Sequence, residues 1–324
     1  MNWKSKLPDT FILGLIAVLL LSFFFPYTIN HSTSFPLKDI IYWGVSGIFL
    51  LYGLKLDINK MGQDLANWKL HTLIQGTTFL IFPAILFVFY PFFKGTDYIQ
   101  LWMATFFLAV LPSTVSSSVV MISIAKGNLP AGIFNASISG IIGLIITPLW
   151  MSLFVHSSVN GNAFGGIFNQ LLYQIIIPVF IGVLLNPLLR KSIIRYTSFL
   201  GWFDKMVIFL IVYKSFSAAF SDQLFQQFKV FTILILSFIL IVLYFLMFYM
   251  IKLFAYRLKF NMKDTITAVF CGAQKSLVHG SVFVTLIITD IAQQSIFLLP
   301  IMIYHAFQLF VTSFQARKWA RRAV

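Results

Sequence analysis

The stretch FCGAQKSLVHG, residues 270–280, sets a lysine, Lys275, in a run that otherwise reads as buried in lipid. A charge there is costly and must be offset by something nearby. The apolar run spans 264–288, so Lys275 lies about 11 residues, or roughly 16 Å, from either end. That is too deep for the side chain to snorkel to an interface. Three ways remain to carry it: a carboxylate partner, coordination by carbonyls and hydroxyls, or an amine left neutral. Asp204 falls near the end of another span and Asp290 just past this one, so neither is at the right depth. The expectation is that Lys275 meets hydroxyls and the carbonyls of interrupted helices.

A second stretch supplies such hydroxyls. LPSTVSSSVVMISIAKGNLPAG, residues 111–132, puts Ser113, Thr114, Ser116, Ser117 and Ser118 directly after Pro112. Hydroxyls in membrane helices usually bond back to their own backbone or pack helices closely. Five in six residues behind a proline favour an unwound, hydroxyl-lined turn over 112–118. The matching turn is expected over 271–276, where Cys271, Gln274, Lys275 and Ser276 become candidate binding residues. Gln75 and Asn135 stand inside other spans and read equally as helix glue or site lining. Lys214 and His279 are read as facing a cavity, and His305 as a packing histidine. The serines have no base at useful spacing, which argues against a hydrolase. No metal cluster or phosphate loop is evident, and no cofactor is expected. The one metal considered is sodium, through Ser118 and Gln274, with a proton as the other candidate coupling ion.

The elements that must position these residues are membrane spans. The 324-residue chain is 59% hydrophobic and 10% charged, against about 25% charged for a soluble domain. Apolar runs fall at roughly 10–27, 38–55, 70–93, 99–125, 130–154, 166–188, 198–219, 229–254, 264–288 and 295–316, long enough to span as helices. Short alternating segments of a β-barrel are not seen. The fold class expected is therefore an all-α integral membrane protein with ten transmembrane helices. The net charge of +14 does not indicate nucleic acid, because the basic residues sit in short loops. Seventeen fall at the termini and in the loops after spans 2, 4, 6 and 8, and three in the opposite loops. That bias puts both termini in the cytoplasm, with the bilayer as an obligatory partner. The N-terminal run is long enough to be the first span and lacks a small-residue cleavage site. The lone cysteine, Cys271, excludes an intrachain disulfide.

Five spans per half require any internal repeat to be inverted. Residues 109–117, AVLPSTVSS, align with 268–276, AVFCGAQKS. Spans 4 and 9 thus occupy corresponding places in repeats 1–160 and 161–324, and both are interrupted there. Matched interruptions in inverted halves point to a transporter binding site.

These features together resemble the bile acid:sodium symporter family, across nearly the whole chain. The segments carrying the likeness are the serine-rich turn, SVVMISIAKGN (118–128) and Gly272-Ala273-Gln274. GLKLD (53–57), LPSTVSSSV (111–119) and FCGAQKSL (270–277) look most like the branch of solute carrier family 10 member seven and its bacterial relatives. The resemblance implies a panel domain from spans 1, 2, 6 and 7 and a core domain from spans 3, 4, 5, 8, 9 and 10, with substrate between them. It also implies sodium ligands that this chain replaces. The acidic position two before the span 9 glycine is Phe270, and the position after Gln274 is Lys275. The asparagine of the span 4 pair is Val119, while Gly132 and Ala136 stand at span 5 hydroxyl positions, beside Asn135 and Ser137. The expected function is secondary transport of a small organic anion, with Lys275 replacing a bound cation or carrying a proton. The alternative is a regulatory membrane protein, for instance in calcium homeostasis. The expected location is a bacterial inner membrane.

Overall fold

The computed structural model describes residues 10–26, 36–55, 67–155, 172–195, 197–221, 223 and 229–321. The regular elements among them are helical, with no strand. In order they are α1 (Thr10–Phe24), α2 (Leu37–Lys55), α3 (Trp68–Phe87), α4 (Ile99–Val110), α5 (Ser116–Ile124) and α6 (Leu129–Val155). The second half holds α7 (Ile177–Arg195), α8 (Thr197–Ser221), α9 (Val230–Arg257), α10 (Met262–Ala273), α11 (Leu277–Ile287) and α12 (Ile291–Ala320). Six stretches among the described residues, α2, α3, α6, Leu172–Leu189, α9 and α12, are long and apolar enough to cross a membrane. Helices are what such sequences must form in lipid, because each backbone group has to be satisfied within its own segment.

The chain divides into two compact units. One takes residues 1–56, 162–229 and 281–298; the other takes 57–161, 230–280 and 299–324. Within the first, α2 lies along α7 and α1 along α8. The α2–α7 contact is made by glycine. A Cβ on Gly53 would strike the carbonyl oxygen of Val179, and one on Gly182 that of Leu50. Two backbones come this close only where side chains are absent. Polar side chains then fasten the pair: the amide nitrogen of Asn186 donates to Leu54 O at 2.7 Å and that of Gln174 to Tyr42 O at 3.2 Å.

The second unit carries the interrupted helices. Its α3 contains a π-helical turn, Thr77–Ile81, followed at once by Pro83. Proline brings no N–H to the carbonyl four residues back. That carbonyl, Phe79 O, is taken instead by the indole of Trp150 at 2.9 Å. An aromatic cluster of Tyr90, Trp102, Phe106 and Phe154 packs beside it, with ring centroids 4.9–5.2 Å apart. Phenylalanine is therefore a core residue here as well as a lipid-facing one: Phe82, Phe106, Phe107 and Phe270 are fully buried, while Phe231 and Phe238 are largely exposed.

The two breaks are shorter than expected. The first runs from Leu111 to Val115, so Ser116, Ser117 and Ser118 form the first turn of α5. The second covers Gln274 to Ser276, and Cys271, Gly272 and Ala273 finish α10. Proline breaks the helix locally, whereas serine is at home in a first turn. Gly272 ends up inside α10, where a side chain would not fit: a Cβ there would meet Thr77 Oγ1 at 2.9 Å and Ile251 Cδ1 at 2.8 Å.

Gly182→Val is expected to lower the thermal midpoint of the purified protein in detergent, with an overpacking cost of about 1–3 kcal/mol. Gly76→Ala, where nothing lies within 4 Å of the added atom, should leave the midpoint unchanged or slightly raised.

Candidate functional site

Lys275 is fully buried. Its ammonium donates to three backbone carbonyls: Ala109 O at 2.6 Å, Leu111 O at 2.8 Å and Thr78 O at 3.0 Å. The face of Phe82 lies 4.8 Å from the same nitrogen, a favourable position for a cation. An ammonium has three N–H bonds and no acceptor, so three carbonyls exhaust it.

Each carbonyl is free for a traceable reason. In the π turn of α3, the Phe82 N–H reaches back five residues to Thr77 O; the Thr78 carbonyl thereby loses its helical donor. The Ser113 N–H, the ordinary partner of Ala109 O, goes to the hydroxyl of Ser139 at 3.0 Å. The chain is already extended at Leu111 (ψ 149°), which turns its carbonyl out of the helix. The neighbouring carbonyls are also assigned: Val110 O accepts from Thr147 at 2.7 Å, and Pro112 O from the Ser276 N–H at 3.0 Å. That last bond ties one break directly to the other.

The second break is held from α12. Gln308 accepts from the Lys275 N–H and donates to the Lys275 carbonyl, both at 2.8 Å. Tyr304 donates to Ala273 O at 2.7 Å. His305 lies beside this pair, its Nδ1 2.8 Å from Gln308 Nε2 and 3.4 Å from Lys275 O. It packs as expected, and it also belongs to the shell of the site. Gln308 carried a readable sign, a glutamine one turn beyond His305 in an apolar span, yet it was not among the expected site residues.

The hydroxyls do not go to Lys275, as expected from the sequence, but to Gln274. Its Oε1 lies 3.1 Å from Thr114 Oγ1, 2.8 Å from Ser117 Oγ and 3.1 Å from Ser118 Oγ. Thr114 and Ser117 are also bonded to each other, and Ser118 reaches Phe270 O at 3.1 Å. The reason is reach: a lysine side chain spans to the neighbouring backbone, while the short glutamine meets the first turn of α5. The other end of the Gln274 amide, Nε2, is buried with no hydrogen-bond partner, as is Ser113 Oγ. Ser116 opens α5, and its side chain lies outside the described residues. Cys271 is buried, with Sγ 3.7 Å from Gly132 O. Ser276 and His279 share a hydrogen bond at 2.9 Å across the first turn of α11. Gln75 and Asn135 form a separate pair: Gln75 donates to Asn135 O at 3.1 Å, and Asn135 Nδ2 is 2.8 Å from His71 Nδ1. Among the described residues no group of three or more His, Cys, Asp or Glu could hold a metal ion.

Comparison with known proteins gives this arrangement its setting. The model of the SBF-like CPA transporter family matches residues 9–321. The chain belongs to the SBF-like CPA transporter family. An uncharacterised protein of Pseudomonas aeruginosa is 32% identical over 99% of this chain and 96% of its own length. The Escherichia coli protein YfeH, whose name proposes a symporter, is 30% identical over 98% and 94%. Sodium/bile acid cotransporter 7 of Xenopus tropicalis is 30% identical over 94% and 90%. The resemblance drawn from the two interrupted stretches therefore holds along the chain, and this SBF-like protein stands among membrane transporters.

Within that family setting, Gln308 is the residue whose removal bears most directly on the Lys275 backbone. Gln308→Leu leaves one N–H and one carbonyl unpaired, and should cost about 2–4 kcal/mol, read as a lowered thermal midpoint with membrane insertion intact. Gln308→Glu keeps the acceptor for the N–H but sets a buried carboxylate against the Lys275 carbonyl, and should cost at least as much.

Proposed function

We propose that this protein is a secondary transporter of a small organic anion, in which the Lys275 ammonium stands in for a bound cation. The observation that carries the reading is the three-carbonyl cage. It has the composition of a monovalent-cation site, and a tethered ammonium fills it. The hydrogen-bond count favours this over a neutral amine, which would turn a lone pair toward a carbonyl. The buried, unpartnered amide nitrogen of Gln274, the residue preceding Lys275, offers two donors suited to the oxygen of an anion. The names of the relatives, a symporter and sodium/bile acid cotransporters, support an organic solute as cargo.

On this reading the chain makes ten passes as two inverted five-helix repeats, residues 1–160 and 161–324, with both termini in the cytoplasm of a bacterial cell. Transport runs by alternating access without sodium coupling of the family's usual kind. The alternative is a regulatory membrane protein that does not transport. What favours it is the complete burial of Lys275 and Gln274.

Reconstitution into proteoliposomes tests the proposal. Parent protein should accumulate an organic anion at the same rate in sodium and in choline, and Lys275→Ala should cut uptake at least tenfold while still inserting. Uptake driven by a pH gradient in sodium-free buffer would make Lys275 a proton carrier. Steep sodium dependence that survives Lys275→Ala contradicts the proposal, and absence of flux for every anion supports the regulatory alternative.

A further inference from the structure

Away from Lys275, the second unit gathers three helix starts on one carboxylate. Asp264, in the first turn of α10, is buried. It accepts from Asn128 Nδ2 at 2.7 Å, Asn261 Nδ2 at 2.9 Å and Asn67 Nδ2 at 3.3 Å. These asparagines stand immediately before α6, α10 and α3. Asn261 and Asn128 also cap their helices, accepting from the N–H groups of Asp264 at 2.9 Å and Ala131 at 3.3 Å. The Asn128 N–H donates to Lys263 O at 3.2 Å. Three chain segments far apart in sequence are thereby clasped at one end of the unit.

The clasp collects charge. Lys69, Lys126, Lys259 and Lys263 are each within two residues of a clasp member, and all four are exposed. Two of them are held in an unusual backbone. Lys126 and Lys259 both have φ 57°, and each closes the same helix-ending turn. Gly127 N bonds Ile122 O at 2.9 Å and Phe260 N bonds Ala255 O at 3.0 Å. Glycine occupies that position without strain, so a lysine at both turns is a choice of side chain over backbone comfort. Asp264, the carboxylate at this end among the described residues, is consumed by the asparagines; Asp57 and Asp64 lie outside the described residues. Exposed apolar neighbours flank the lysines: Trp68 at 63%, Tyr256 at 78% and Met262 at 47% exposure. Lysine beside exposed tryptophan and tyrosine is the composition of a membrane interface.

The geometry points to a phosphate-binding face, formed by Lys69, Lys126, Lys259 and Lys263 around the Asp264 clasp, that takes the headgroup of an anionic phospholipid. Four exposed lysines next to segments clasped on one carboxylate supply the charge a phosphodiester needs, and the apolar flank commits the site to a lipid rather than a soluble anion.

Titration of the full-length protein in neutral detergent with phosphatidylglycerol, read by thermal shift, tests this. The parent should be stabilised by phosphatidylglycerol and not by phosphatidylcholine. Each single Lys→Gln change at the four positions should weaken the lipid about fivefold. A control variant with Lys38, Lys94, Lys205 and Lys229 all changed to Gln loses more net charge than any of the single variants and should still bind as the parent does. Asp264→Ala, with every lysine kept, should weaken binding as the turns separate; the single lysine variants decide the matter if it fails to fold. Equal weakening by the control variant, or no weakening by the four, overturns the site. Displacement of the lipid by an equal phosphate concentration of inorganic pyrophosphate overturns the lipid assignment.

Discussion

The two broken helices of the second unit are arranged around one requirement: a buried lysine nitrogen must have acceptors for its N–H bonds, and lipid supplies none. The protein meets it with backbone. Three carbonyls are taken out of their helices by a π turn in α3 and by the break after α4, and all three converge on Lys275. A helix interruption in a membrane is costly because it strands polar groups; a stranded charge is costly for the same reason. Each defect satisfies the other. The breaks and the lysine are one feature, each supplying the hydrogen-bond partners the other needs.

The consequence is a joint between otherwise separate helices. Lys275 leaves α10 and binds α3 and the end of α4, while Gln308 of α12 holds its backbone from behind. Ser139 and Thr147 of α6 keep the neighbouring groups occupied. Were a free sodium ion the occupant, such a joint would loosen whenever the ion left. A tethered amine cannot leave, so its three contacts keep α3, the end of α4 and the second break joined. The hydroxyls of Thr114, Ser117 and Ser118 go to Gln274 Oε1 instead.

Much of this was legible in the residues. The depth of Lys275 within its span, the lack of a carboxylate at that depth and the proline ahead of five hydroxyls together forecast two breaks and carbonyl coordination. Four things were not legible. The extents of the breaks depended on whether serines would stay helical, and composition cannot distinguish an unwound serine from one in a first turn. The π turn at Thr77–Ile81 has no strong local signature, since Pro83 alone is equally compatible with a simple kink. The Asp264 clasp joins asparagines that look, one at a time, like ordinary loop residues; only their convergence in space gives them a common partner. Gln308 was missed for a related reason: a single glutamine in an apolar span reads as glue between helices until its partner is known.

The central claim is that the ammonium occupies a cation site that joins the broken helices. The most direct measurement is thermal unfolding of the parent and of Lys275→Ala in choline, sodium and potassium chloride. If the claim holds, the parent midpoint is the same in all three salts. The variant melts lower in choline and regains part of the loss in sodium or potassium, by up to about 2.7 kcal/mol at a hundred times the dissociation constant, as an inorganic ion enters the vacated carbonyls. A parent strongly stabilised by sodium, or a Lys275→Ala protein as stable as the parent and indifferent to salt, would contradict it.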